Sequence, residues 1–283
     1  MSETAATSAE PAHSPREHPR SPIPVLLYHS VAESPPPGQL RHYTVTPARF
    51  REHIALIARA GFSAMTISAL ARALTGAEPF PERPLAITFD DGFEDTPAAV
   101  QALSDVGVPA TVYVTAGTID TPAGISAAAL RDLAATGCQI GAHSVSHPHL
   151  DELPLAQAAR EVTDSRDQLE HHLGGTVATF AYPHGAYDRR VRASVIEAGF
   201  SSAAAVKNAL SHRRDDPFAI ARWTVTYPTS AAELGRVLDG SGAPLAWSRE
   251  RHRTRASRTA RRLRRRIATT SRRSQRAPDS NGA

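Results

Sequence analysis

The sequence predicts an α/β fold built on a parallel sheet, open or closed into a barrel. Three observations carry that prediction. Short apolar runs alternate with helix-period segments through residues 22–247, glycines stand behind several of the helical segments, and the acidic and histidine clusters come directly after apolar runs. Parallel α/β folds place their ligands at that C-terminal edge of the strands. The 283 residues suffice for one full-sized domain, and no apolar stretch is long enough to cross a membrane as a helix.

The elements follow in order. Pro24–Tyr28 (PVLLY) has the composition of a buried strand. Thr46–Ala60 reads as a helix: Thr46 suits the cap, Pro47 the first helical position, and Phe50, Ile54 and Ile57 share one face before Gly61 ends it. Leu85–Phe89 is a strand, and Thr96–Asp105 a helix closed by Gly107. Ala110–Val114 is a strand, Ser126–Ala135 a helix stopped at Gly137, and Gln139–Ala142 a strand. Leu155–Leu173 is a long helix and Val177–Ala181 a strand; Asp188–Ala198 is a helix backed by Gly199, and Ser202–Val206 the strand after it.

Composition divides the chain into three parts. Residues 1–21, rich in Ser, Pro, Ala and His, read as a disordered lead-in without the apolar core of a secretory leader, so the expected location is cytoplasmic. Residues 22–247 form the folded domain. Residues 248–283 are a basic tail with 13 Arg and only two acids, so the formal charge of +4 conceals an acidic body. The tail suits electrostatic contact with an anionic membrane, whereas no aromatic interleaving supports nucleic-acid binding. Cys138 is the only cysteine, which excludes an intrachain disulfide and a Cys-built zinc site; it reads as buried filler.

Two segments carry chemistry. In Thr88-Phe89-Asp90-Asp91-Gly92, adjacent carboxylates leave a strand in different directions, so one can bind a cation while the other handles a proton. Gly92 permits the tight turn behind them. Gly141-Ala142-His143-Ser144-Val145-Ser146-His147-Pro148-His149 also follows a strand. His143 and His147, four apart, can converge on one metal, and a carboxylate from the other strand end completes a His₂-Asp set with open coordination positions. His149 reads as a bystander, because Pro148 turns the chain before it. The bland alternatives are an acidic helix cap and a polar loop with surface histidines.

These residues resemble the polysaccharide deacetylase family, the NodB-homology or carbohydrate esterase family 4 domain. TFDDG (Thr88–Gly92), HSVSH (His143–His147) and FAYPHGAY (Phe180–Tyr187) are similar, in order and spacing, to that family's first three motifs. The resemblance implies a distorted (β/α) barrel of seven or eight strands with a divalent metal, usually zinc. It implies Asp91, His143 and His147 as ligands, Asp90 as general base, and the His184 backbone N–H as an oxyanion donor. The implied activity is hydrolysis of N-acetyl groups on amino-sugar residues of a glycan or glycoconjugate. The rival readings are a hydrolase of non-sugar linear or cyclic amides and an idle carbohydrate-binding module.

The chain departs from the family pattern at two places. Ala181-Tyr182-Pro183-His184 lacks the Arg that steadies the base in many members, and Arg222, in Ile220-Ala-Arg-Trp-Thr-Val225, is the candidate replacement from another strand end. The late Leu-x-His motif is missing as well. Leu27-Tyr28-His29-Ser30-Val31 resembles the early segment of the poly-N-acetylglucosamine deacetylase branch, which makes His29 the first candidate for general acid and His184 the reserve. Tyr182, Pro183, Tyr187 and Trp223 are the candidate substrate-binding residues, through aromatic stacking on a sugar face.

Overall fold

The computed structural model describes residues 21–34, 38 and 40–247. The expected lead-in (except Ser21) and the Arg-rich tail lie outside the described residues. Seven parallel strands close into a barrel: β1 (Val25–Tyr28), β2 (Pro84–Phe89), β3 (Thr111–Val114), β4 (Gln139–Ala142), β5 (Thr179–Ala181), β6 (Ser202–Val206) and β7 (Ile220–Thr224). They neighbour one another in chain order, and β7 pairs with β1 to complete the circle, so the sheet has closed rather than stayed open.

Among the described residues, eight α-helices accompany the strands. They are α1 (Leu40–Tyr43), α2 (Pro47–Arg59), α3 (Ile67–Leu74), α4 (Thr96–Ser104), α5 (Ala127–Ala135), α6 (Leu155–Leu173), α7 (Arg189–Glu197) and α8 (Ala231–Leu238). The expected Thr46 cap forms, and Ser126 and Asp188 cap their helices as well. Thr46 Oγ1 accepts from the Arg49 amide, Ser126 Oγ from Ala129, and Asp188 Oδ1 from Arg190 and Val191, each satisfying amides that a helix start leaves open. Gly174, left-handed at φ 64°, stops α6. No α-helix follows β6. The chain there makes the short strand Ser211–His212, antiparallel to Pro22–Ile23, which is where the barrel departs from regular βα repetition.

Strand parity sorts the side chains. Leu85, Ile87 and Phe89 face the helices, in one apolar cluster with Phe50, Ile54 and Leu103. Ala86 points inward, in a second cluster with Val25, Tyr113, Ala181, Ala204 and Ile220. The inward residues are mostly small, and Tyr113 fills the lumen.

Helix α3, which the sequence reading did not anticipate, plugs the N-terminal end of the barrel. Ile67, Leu70 and Ala71 join the inner cluster. The Ile67 amide donates to Thr111 Oγ1 (3.0 Å) and the Ser68 amide to Gln139 Oε1 (3.1 Å), side chains that open β3 and β4. Among the described residues the bottom is therefore sealed, and the lumen opens at its C-terminal mouth.

Candidate active site

At that mouth lies a cavity of about 540 Å³, within the range of small-molecule sites. His29, Asp90, Asp91, His143, His147, His184 and Trp223 line it, together with Tyr43, Phe93 and Asn208, which the sequence reading had not singled out. Four of its lining residues hold positive φ without being glycine: Asp91 (72°), His147 (56°), His184 (56°) and Asn208 (48°). Strain of this kind costs free energy and concentrates where geometry serves a site.

The inward parity that places Ala86 also carries Asp90 into the lumen, one step past the end of β2. There Arg222, fully buried on β7, clamps it: Nη1 donates to Oδ1 at 2.6 Å and Nη2 to Oδ2 at 2.8 Å. Nη1 also donates to Thr88 Oγ1 (3.2 Å), which in turn donates to the Leu26 carbonyl (2.9 Å). Burial by itself would raise the Asp90 pKa, but the Arg222 charge, with lesser help from His143 and the guanidinium hydrogen bonds, holds it down to about 2. Asp90 is thus ionised and fixed in direction.

Asp91 behaves oppositely. The chain turns left-handed at Asp91 and Gly92 (φ 69°), directing the Asp91 carboxylate to the rim. Burial and then the neighbouring Asp90 charge push its pKa up to about 7, with Arg222 only partly opposing. A carboxylate in that position is short of positive charge.

His143 Nδ1 lies 2.8 Å from the Ala181 carbonyl, which can only accept, so Nδ1 carries the proton and the Nε2 lone pair faces the cavity. Burial lowers the His143 pKa to about 3, and burial lowers that of His147 too, so both rings are neutral, the form that binds metal. Asp91 Oδ1 lies 3.7 Å from His143 Nε2 and 3.2 Å from His147 Nε2, and the ligand atoms of all three residues lie within 4.8 Å of one another. Ligands about 2.1 Å from a tetrahedral ion stand about 3.4 Å apart, and the two Asp91–imidazole separations bracket that value, as a shared divalent cation requires.

The remaining candidates divide between mouth and core. His29 is half-buried, its ring 4.9 Å from that of Tyr43 and its Nδ1 buried without a hydrogen-bond partner. Burial, with Asp90 partly opposing, lowers its pKa to about 4. His184 is exposed, and its ring packs against His147 (4.4 Å) and stacks on His149 (4.0 Å), so His149 joins the histidine row instead of standing apart.

Trp223 reaches the cavity, whereas Tyr182, Pro183 and Tyr187 do not line it. Tyr182 follows inward-facing Ala181 and therefore points outward, fully buried. Its hydroxyl donates to the Phe218 carbonyl (3.0 Å) and its ring stacks on Tyr187 at 4.3 Å. Pro183 is buried in the short 3₁₀ turn beside it. Cys138 is buried away from the mouth, and burial pushes its thiol up to about 12.

Residues 77–203 match the family described as polysaccharide deacetylase. A Bacillus subtilis polysaccharide deacetylase homologue, YxkH, is 23% identical over 218 residues, which cover 77% of this chain and 76% of that protein. Among solved structures, the Streptococcus pyogenes deacetylase PplD in complex with acetate superposes with a TM-score of 0.71 at 20% identity, covering 77% of this chain and 99% of that one. IcaB from Ammonifex degensii gives 0.67 at 22% identity, covering 78% and 97%. At these identities the structural likeness concerns the fold.

Proposed function

We propose, from the match of residues 77–203 to the polysaccharide deacetylase family, that the chain is a metal-dependent hydrolase removing N-acetyl groups from amino-sugar residues of a glycan or glycoconjugate. The observation that carries the metal part is the convergence of Asp91, His143 and His147, with both imidazoles neutral. These three would hold the ion, and zinc suits a set of two imidazoles and one carboxylate. When bound, such an ion supplies Lewis acidity, making a water nucleophilic near neutral pH and polarising the acetyl carbonyl.

The chain's own groups do the rest. Asp90, ionised and aimed by Arg222, accepts the proton of the attacking water. Its low pKa secures the charged form at the expense of basicity. The amide of His184, a residue that lines the cavity, is the candidate donor to the developing oxyanion. His29 faces the same cavity and is assigned to protonate the leaving amine. Neutral at rest, its imidazole becomes easier to protonate as negative charge grows on the substrate beside it. Trp223, Tyr43 and Phe93 supply flat apolar surface for a pyranose ring.

The test is acetate release from N-acetylated amino-sugar oligomers, with and without chelator. Chelation is expected to abolish release and added zinc to restore it. Asp91→Ala and His143→Ala are expected to lose both the metal and turnover. Full activity in either variant, or after chelation, would reject the ligand assignment.

A further inference from the structure

The loop that carries both histidines is held by a side chain outside every motif. Residues 143–147 turn back sharply after β4, with Ser144 (φ 63°) and His147 (φ 56°) both left-handed. A five-residue loop with two such conformations needs external support, and several of its backbone polar groups have hydrogen-bond partners. The Ser144 and Val145 carbonyls accept from the Ala116 and Gly117 amides at 3.0 and 2.9 Å. Gly117 is required there, because a Cβ would lie 2.6 Å from the Val145 oxygen. The His147 amide donates to Ser144 Oγ at 3.0 Å, and the His143 amide to the Val114 carbonyl at 2.9 Å.

The amides of Val145 and Ser146 both donate to one atom, Oε2 of Glu161, at 3.0 and 2.9 Å. The Ser146 hydroxyl donates to Oε1 of the same carboxylate at 2.6 Å. Glu161 projects from α6, a helix anchored through buried Ala158, Val162, Ser165 and Leu169. A rigid element thus grips the crest of the loop between the two imidazoles.

We infer that Glu161 is a positioning residue of the metal centre, holding Val145 and Ser146 so that His143 and His147, which flank them, both face Asp91. The inference rests on the reading of those three residues as metal ligands. What matters is the placement of two hydrogen-bonding atoms, an acceptor under both amides and a partner beside the Ser146 hydroxyl. The negative charge is incidental.

Two conservative substitutions separate placement from charge. In Glu161→Asp the charge stays, but the carboxylate sits one methylene short of the loop. In Glu161→Gln the charge goes, yet the amide oxygen can accept from both backbone N–H groups while its NH₂ donates to the Ser146 hydroxyl. The experiment is competition for Zn2+ between the full-length protein and a chromogenic chelator, for wild type and both variants, with thermal melts alongside.

Glu161→Asp is expected to weaken Zn2+ binding by about 10- to 100-fold, the usual cost of losing outer support at a metal site, while Glu161→Gln stays within about threefold of wild type. Wild-type affinity in Glu161→Asp, or equal losses in both variants, would overturn the inference and leave the metal reading intact. A wild-type chain that binds no Zn2+ would overturn the metal reading and this inference with it.

Discussion

Arg222 and Asp90 show how one pair can govern both stability and chemistry. Each is almost wholly inaccessible, and the guanidinium meets both carboxylate oxygens. Removing one partner of such a pair leaves an uncompensated buried charge. Arg222→Met is therefore expected to cost about 3–5 kcal/mol in urea unfolding. The double variant Asp90→Asn/Arg222→Met should recover part of that loss, because no charge is then stranded. If Arg222→Met were as stable as wild type, the pair would not be the determinant described. In the same variant the base loses its orientation, and turnover should fall on the order of 100-fold. Asp91, a single residue away, is set by the opposite circumstance of burial beside a like charge, and so suits a cation.

At the scale of elements, α3 makes the barrel one-ended. Leu70 is fully buried in the inner cluster beside Ile67 and Ile23. Leu70→Ala opens a void in a lumen already lined by small residues that cannot collapse into it. The expected loss is about 3–5 kcal/mol in urea unfolding, with zinc affinity unchanged because the site is at the other end. A loss below about 1 kcal/mol would mean the plug is not packed as described. The signal for α3 was present in the chain: Thr66 caps it through the Ala69 amide, and Ile67, Leu70 and Ala71 share a face. What the sequence could not reveal is that this face looks into a barrel. The grip of α6 on the histidine loop through Glu161 is likewise illegible, since its partners lie 15 and 16 positions upstream on a separate loop.

For the molecule as a whole, acid stability reflects buried imidazoles. His53 on α2 joins three parts of the fold: its Nδ1 is 3.1 Å from the Tyr28 hydroxyl of β1, and its Nε2 3.1 Å from the Thr229 carbonyl ahead of α8. Burial lowers its pKa below the free value of 6.5, with the Thr229 hydrogen bond partly opposing. As pH falls below 6.5, the unfolded chain therefore takes up a proton that the folded one resists, and stability drops. Asp91, raised by burial, pulls in the reverse direction over part of that range, so the informative quantity is a difference. The fall in urea midpoint between about pH 7.5 and 5.5 should be smaller in His53→Gln than in wild type. Equal falls would show that His53 does not contribute.

The sequence by itself determined the α/β class, most strand and helix positions, and the two clusters that converge, Asp90/Asp91 and His143/His147. Those features rest on local rules: strand parity, helix period, caps, and the exit of ligand residues at strand ends. The third motif shows where local rules stop. Tyr182 and Tyr187 looked suited to a sugar face, yet parity turns Tyr182 away from the mouth and Tyr187 stacks on it. Closure of the sheet decided what remained. Only when β7 pairs with β1 does Arg222 come within reach of Asp90, 132 positions earlier, and only then does a buried acid acquire the partner that keeps it charged. Contacts at that separation depend on how strands are arranged around the barrel, which no stretch of neighbouring residues encodes.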